Sequence, residues 1–306
     1  MSSTGDQILH TLAYFDIFRY PLTGAEINMF HGDLTDQTTI DKALDTLKNE
    51  GAVFSNGSFY ALHNNPFLFE RRIKGNQEAK KLLVLAGKVG RFLYRFPFVR
   101  GVGISGSLSK QFAEADADLD FFIITSPNRV WVARTFLHIL KKCSFLFRRQ
   151  HWFCMNYFVS TASQVIAEKN IFTATEVVTL LPVCGKKVFI DFFMANDWAY
   201  NYYPNMLYPP ELPLLADRQG LLKRVIEKLL SGKTGDMLDQ YWFRITEKRW
   251  KQKEKTERNS KGFPMGLKAE KQAARPKPEY FQQKILDAYA KKSALLHTEV
   301  MMVCAG

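Results

Sequence analysis

The sequence predicts an α+β fold, with long helices and a few short strands. Apolar residues recur at helical spacing over residues 66–95 and 129–147, which indicates two long helices. Between them, Val99–Thr125 has the pattern of a strand, a Gly-Ser turn, a short helix and a second strand, and Trp152–Ser160 predicts a further strand. A hydrophobic fraction of 46% with 25 Phe supports well-filled cores.

Composition restricts the classes of function. The 306 residues carry a net charge of +12 with a pI near 9.4, which predicts an anionic partner such as a nucleic acid, a nucleotide or a lipid headgroup. The four cysteines form no CxxC pair and are typical of reduced thiols in a cytoplasmic protein: Cys143, Cys154, Cys184 and Cys304. Neither a signal peptide nor a run of about 18 apolar residues is evident, so we expect no membrane partner.

Changes in pattern and charge divide the chain into three predicted parts. Residues 1–64 form a small helical unit that closes with a hairpin, residues 65–215 hold the predicted strands, and residues 216–306 form a basic helical region. From Asp217 onward the chain has 20 Lys and Arg against 11 Asp and Glu, so most of the excess charge lies there. This region fits either a helical cap or an RNA- or nucleotide-attracting patch. Its polar, proline-containing segment at about 252–278 predicts a flexible loop.

The N-terminal unit has the order of elements of a winged-helix domain. A first apolar helix is followed by a second that begins at Thr23, with Glu26 completing a capping box, and by a third over residues 39–49. The Asn56-Gly57 turn then predicts the hairpin that would be the wing. The third helix has polar residues balanced in sign, whereas a major-groove reader is enriched in Arg and Lys. Packing or protein docking is therefore favoured over DNA contact.

Two carboxylates, Asp118 and Asp120, mark the start of the second strand of Val99–Thr125. Side chains alternate along a strand, so both point to one face, ahead of an apolar run that predicts a buried strand. Neighbouring carboxylates repel each other, and a pair in this position calls for a cation. Mg²⁺ is the natural one, because it is commonly held by one or two carboxylates together with substrate phosphates. The turn at Gly106 and Ser107 offers such phosphates small side chains and free backbone N–H groups.

The segment from Gly106 to Asp120 resembles the signature of the DNA polymerase beta-like nucleotidyltransferase superfamily. In that signature a hydrophobic strand and a Gly-Ser turn precede an Asp-hydrophobic-Asp motif, and the interval of 11 positions from Ser107 to Asp118 is one the superfamily tolerates. The wider arrangement is similar to a group of uncharacterised bacterial proteins assigned to that superfamily. The resemblance implies a nucleotidyltransferase core over 65–215, built on a small mixed β-sheet with flanking helices. A winged-helix-like domain would precede this core and a helical C-terminal region would follow it.

The activity implied by the resemblance is nucleotidyl transfer. A nucleoside monophosphate would move from a nucleoside triphosphate, ATP among them, to a hydroxyl of a small molecule, an RNA or a protein, with release of pyrophosphate. Asp118 and Asp120 would be the catalytic residues that hold Mg²⁺ or Mn²⁺. Gly106 would let the backbone approach the nucleotide, Ser107 would donate to the β or γ phosphate, and Lys110 would add positive charge.

Superfamily members commonly place a third carboxylate on a neighbouring strand, and the sequence offers three candidates for it. Asn156 occupies the matching position, but an amide cannot serve as a general base near neutral pH. Asp191 could replace it if residues 188–193 form a sheet strand. Glu176 is weaker, because a capping box with Thr173 explains it. A catalytically weak or inactive nucleotide- or nucleic-acid-binding protein of the same fold is therefore the alternative.

Overall fold

A computed structural model describes residues 4–147, 150–208, 212, 220–256, 266–275 and 279–304. Within these ranges long helices and short strands are combined, which confirms the predicted α+β class. No helix of the described ranges has the long apolar stretch that crossing a bilayer requires.

Residues 4–61 form a unit of three helices and a small antiparallel sheet. Its elements are α1 (Thr4–Asp16), β1 (Leu22–Thr23), α2 (Gly24–Met29), α3 (Gln37–Asn49), β2 (Phe54–Asn56) and β3 (Phe59–Ala61), with the strand order β1-β3-β2. The Thr23 hydroxyl accepts from the Glu26 N–H (3.1 Å), and the Glu26 carboxylate accepts from the Thr23 N–H (2.8 Å). The predicted capping box and the hairpin at Asn56-Gly57 are therefore confirmed.

A six-stranded mixed sheet forms the centre of the chain. Its strands, in spatial order, are β7 (Leu181–Cys184), β4 (Val99–Ile104), β5 (Asp120–Thr125), β6 (Cys154–Ser160), β9 (Ala273–Arg275) and β8 (Lys268–Glu270). β5 and β6 run parallel, and the other neighbouring pairs are antiparallel. The strands predicted from Val99–Thr125 and Trp152–Ser160 are confirmed, and they lie side by side.

Helices cover both faces of this sheet. The helices concerned are α4 (Pro66–Leu93), α6 (Val130–Ser144), α7 (Ile171–Val178) and α8 (Lys186–Ala195). Side chains alternate along β5, so Phe121 and Ile123 pack in a core with α4 and α6, whereas Phe122 and Ile124 pack on the other face with α7 and α8. The second core continues into the buried side chains of the N-terminal unit, so that unit packs directly onto the central domain.

The C-terminal region is helical as predicted, but it also completes the sheet. Its helices are α9 (Leu221–Leu229), α10 (Lys233–Thr256) and α11 (Glu279–Cys304). The prediction of a flexible loop at 252–278 is wrong where the structure describes it, because residues 252–256 belong to α10 and residues 268–275 form β8 and β9. Ala273 and Ala274 are buried against β6, where Ala274 pairs with Phe158, and this contact fixes the hairpin. Residues 257–265 and 276–278 of the predicted loop lie outside the described residues.

Helix α9 turns its charged side inward. Lys223 is 1% exposed, and its ammonium donates to the carbonyl oxygens of Tyr94 (2.8 Å) and Val99 (2.6 Å). Glu227 accepts from the Arg100 guanidinium at 2.8 and 2.9 Å. The exposed side chains of this helix include Leu221, Leu222, Val225 and Leu229. Polar anchors therefore hold α9 beside the first residues of β4.

Candidate functional site

The turn after β4 places a glycine directly against one of the two predicted metal ligands. β4 ends at Ile104, Ser105 is extended, and Gly106 has φ +72° at the start of the four-residue helix α5 (Gly106–Ser109). The Ser105 N–H donates to the Asp120 carbonyl (2.9 Å), which ties the turn to the first residue of β5. A Cβ built on Gly106 would lie 2.6 Å from Oδ2 of Asp120. The carboxylate thus occupies the space that any side chain at Gly106 would need.

β5 begins at Asp120, which shares a sheet face with Phe122, and Asp118 lies two positions before the strand. The Asp118 side chain is 48% exposed, and its Oδ1 lies 2.6 Å from Nδ1 of His151. The more enclosed Asp120 pairs in register with Cys154 of the parallel strand β6. The two aspartates therefore lie at the start of the paired strands, with Asp118 beside His151 and Asp120 beside Cys154.

Cys154 shows the electrostatic effect of this pair. Burial raises the pKa of its thiol to about 11, and the charge of Asp120 and a hydrogen bond to that carboxylate act in the same direction. The neutral thiol therefore adds no second negative charge beside Asp120.

The predicted phosphate ligands lie on the turn itself. The Ser107 side chain is exposed, and its carbonyl accepts from the backbone N–H of Lys110 (3.0 Å). The Lys110 ammonium donates to the Gly106 carbonyl (3.1 Å) and pairs with Glu176 (2.8 Å). The prediction that Glu176 caps a helix is wrong, because the N-cap of α7 is Asn170, three positions before the expected Thr173. Glu176 instead holds Lys110 beside the turn.

The other two candidates for the third carboxylate site, Asn156 and Asp191, have different positions. Asn156 lies in β6 at the point where its register with β5 shifts, and its side chain is outside the described part of the structure. Asp191 lies in α8, because residues 188–193 are helical, so the sheet strand on which its candidacy depended is not formed. Phe189 and Phe192, at helical spacing, are buried, and Asp191 faces outward, where it pairs with Lys187 (3.5 Å). Asp191 therefore does not belong to the site.

His151 and Cys154 are neighbours of the aspartates that sequence reasoning missed. The Leu119 N–H donates to the His151 carbonyl (2.9 Å), and the Cys154 N–H donates to the Leu119 carbonyl (3.3 Å). Parallel pairing of β5 with β6 therefore brings the residues at the start of both strands together. The sequence held the necessary signal, because His151 directly precedes the predicted strand Trp152–Ser160.

The donor set of the site fits a magnesium–phosphate complex. Within the described ranges, no group of three or more His, Cys, Asp and Glu side chains is arranged to hold a metal ion. Mg²⁺ needs only one or two protein carboxylates when phosphates supply its other oxygen ligands. Asp118 and Asp120 offer hard oxygen atoms at the start of β5, and Gly106 keeps the approach to Asp120 free of a side chain.

Comparisons with known proteins were made at three levels. A scan against protein-family models finds no match for this chain, and searches of curated proteins and of solved structures find none either. The function of this chain is therefore inferred from its own side chains.

Proposed function

We propose that this chain is a Mg²⁺-dependent nucleotidyltransferase that moves a nucleoside monophosphate from a nucleoside triphosphate to a hydroxyl acceptor and releases pyrophosphate. One observation carries the proposal: the Asp120 carboxylate lies against Gly106, with Asp118 two positions earlier in the chain. This contact joins the Gly-Ser turn and the carboxylate pair, although 11 positions separate Ser107 from Asp118. A purely structural pair of aspartates would not need a glycine with φ +72° beside it.

Each residue of the site has a distinct role in this proposal. Asp118 and Asp120 would hold Mg²⁺ or Mn²⁺, which when bound would neutralise the triphosphate oxygens and position them. The exposed Ser107 side chain would donate to a phosphate oxygen. Lys110, held at the turn by Glu176, would add positive charge there. His151 contacts Asp118 and would fix the direction of its carboxylate.

In this reaction the protein forms no covalent bond to the substrates. The acceptor oxygen forms a bond to the α-phosphorus, and the bond from that phosphorus to the pyrophosphate oxygen breaks. The protein's contribution is to align these atoms and to offset the developing charge. The hydroxyl proton needs an acceptor, and neither Asn156, an amide, nor Asp191, on the outer face of α8, can take it at this site.

A second candidate function follows from that gap. A chain that binds a nucleotide or a nucleic acid through the same fold, with slow turnover or none, would need the turn and the aspartate pair but no base. The outward position of Asp191 favours this candidate.

We also infer that residues 4–61 form a winged-helix domain, since their three helices and hairpin follow that order. The balanced charges of α3 favour a packing or docking role for this domain over DNA contact.

Label transfer tests the proposal directly. The protein is incubated with each of four α-labelled nucleoside triphosphates, Mg²⁺ or Mn²⁺ and a cell extract, and transfer of label to an acceptor is followed. Wild type is expected to transfer label from at least one nucleotide, and Asp118→Asn/Asp120→Asn is not. Asp191→Asn, which changes an exposed aspartate outside the site, is the matched control.

Binding distinguishes the two candidate functions. Metal-dependent nucleotide binding without transfer supports the second candidate. If the Asp118→Asn/Asp120→Asn chain binds nucleotide and metal as wild type does, the metal site is wrong and both candidates lose their basis. Thermal unfolding of each variant shows that the compared chains are folded.

A further inference from the structure

A cavity of about 140 Å³ opens on the sheet face that carries Asp120 and Phe122; we call it the sheet cavity. Ser105 and Phe122 are among its lining residues. The Ser105 N–H donates to the Asp120 carbonyl (2.9 Å), and Phe122 follows Asp120 by two positions on the same face. The sheet cavity is therefore adjacent to the proposed metal ligands.

Five of the fourteen residues that line the sheet cavity are aromatic. Phe122 and Tyr157 are stacked, with centroids 5.3 Å apart and planes inclined by 20°. Phe192 packs against Phe122 (4.9 Å), and Phe172 of α7 meets Phe281 of α11 edge to face (5.9 Å). An apolar cavity of about 150 Å³ is large enough to bind benzene. The sheet cavity therefore has the size and the surface to hold one six-membered ring.

The charged groups of the lining are already paired. Glu176 accepts from Lys110 (2.8 Å), and both carboxylate oxygens of Glu168 accept from Arg275. Burial alone would raise the pKa of Glu168, but the Arg275 guanidinium outweighs burial and holds the pKa below its usual value. Each carboxylate of the lining is therefore paired with a cation, so the lining favours a ligand group without net charge. Nε of Arg275 and the Tyr157 hydroxyl are buried without a hydrogen-bond partner among the described residues, and they are open to the polar atoms of such a group.

We propose that the sheet cavity receives an uncharged six-membered ring of one of the two substrates, either the base of the nucleotide or a ring of the hydroxyl acceptor. This inference rests on the proposed function, because it is the neighbouring aspartate pair that makes the ligand a substrate. Stacking on Phe122 and Tyr157 would orient the ring, and the α11 side chain Phe281 would cover it. The cavity thus selects for ring-containing substrates.

Two cavity variants and a control probe this assignment. Val177→Phe fills the cavity from α7, and Phe281→Ala removes one ring of the wall. Phe281 is 46% exposed, so its loss should disturb folding little. Phe281→Ala therefore still tests the proposal if Val177→Phe fails to fold. Phe67→Ala removes an exposed phenyl ring of α4 outside the cavity and serves as the matched control. Binding of inorganic triphosphate with Mg²⁺, of CTP with Mg²⁺, and of benzyl alcohol is measured by calorimetry.

The results separate the two sources of the ring. If the base occupies the cavity, both cavity variants bind CTP about tenfold more weakly, the loss expected for one stacking aromatic, and bind inorganic triphosphate as wild type does. If the acceptor ring occupies it, CTP binding is unchanged, and benzyl alcohol binds wild type and the control but neither cavity variant. The proposal is overturned if CTP binding is unchanged in the cavity variants and benzyl alcohol does not bind wild type. It is also overturned if CTP binding is unchanged and benzyl alcohol binds all chains equally.

The same measurements keep this proposal distinct from the proposed function. Asp118→Asn/Asp120→Asn is expected to lose triphosphate binding and to keep any binding of benzyl alcohol. If the double variant retains triphosphate binding, the metal site fails while the effect of the cavity variants on ring binding can still be read.

Discussion

The contact between Gly106 and Asp120 gives the sharpest prediction. An alanine at Gly106 would carry a Cβ 2.6 Å from Oδ2 of Asp120, whereas real Cβ atoms essentially never come closer than 3.0 Å. The carboxylate or the turn must therefore move by at least 0.4 Å, the difference between these distances. The alanine would also keep a φ of +72°, which costs about 1–2 kcal/mol for a residue with a Cβ.

Gly51→Ala isolates the second of these effects. Gly51 has φ +71°, and a Cβ there would meet nothing within 4 Å. Both variants are expected to lose about 1–2 kcal/mol of unfolding free energy in urea titrations, with Gly106→Ala losing as much or more. Calorimetry with ATP and Mg²⁺ should show binding at least tenfold weaker for Gly106→Ala and unchanged for Gly51→Ala, because a displaced carboxylate no longer fits its ligand. Wild-type affinity in Gly106→Ala would refute the reasoning.

Three further predictions concern charged side chains. Lys110→Ala is expected to weaken binding of inorganic triphosphate about tenfold in calorimetry, whereas Glu176→Gln, which frees the lysine, should not weaken it; equal losses would contradict the assigned role. Arg72→Met should lower the unfolding free energy by about 3 kcal/mol in urea, since Arg72 is 2% exposed and its partner Glu26 would stay partly buried without it; a neutral result would show that Glu26 finds other partners. Burial lowers the pKa of Lys223 from 10.5 to about 8, so between these values the unfolded chain binds more protons and stability should rise with pH. Urea titrations at pH 8 and pH 10 should show a smaller rise for Lys223→Met than for wild type, and identical rises would contradict the shift.

Local signals in the sequence were enough to predict most helices and the first strands. The capping box at Thr23 and Glu26 involves residues three positions apart, so the chain forms it with little help from the rest of the fold. The strand period alone predicts that Phe121 and Ile123 share a face. These features depend on near neighbours, which a linear sequence displays.

Features that depend on tertiary pairing could not be predicted. Residues 188–193 are apolar enough for a strand or a helix, and only the burial of Phe189 and Phe192 on α8 decides between them. Strands β8 and β9 have three residues each, too few for a period, and pairing with β6 defines them. His151 reaches Asp118 because β6 lies parallel to β5, and that order is a property of the whole sheet.

The β8–β9 hairpin also sets an order of events during synthesis. Before residues 268–275 leave the ribosome, β6 is an edge strand whose backbone groups face solvent, and such edges invite pairing with other chains. Glu168 also lacks its partner Arg275 until then, because Arg275 follows it by more than a hundred positions. A nascent chain that ends before residue 268 would contain both aspartates but not Arg275 of β9, which lines the sheet cavity. We therefore expect the aspartate pair to assemble before the cavity beside it closes.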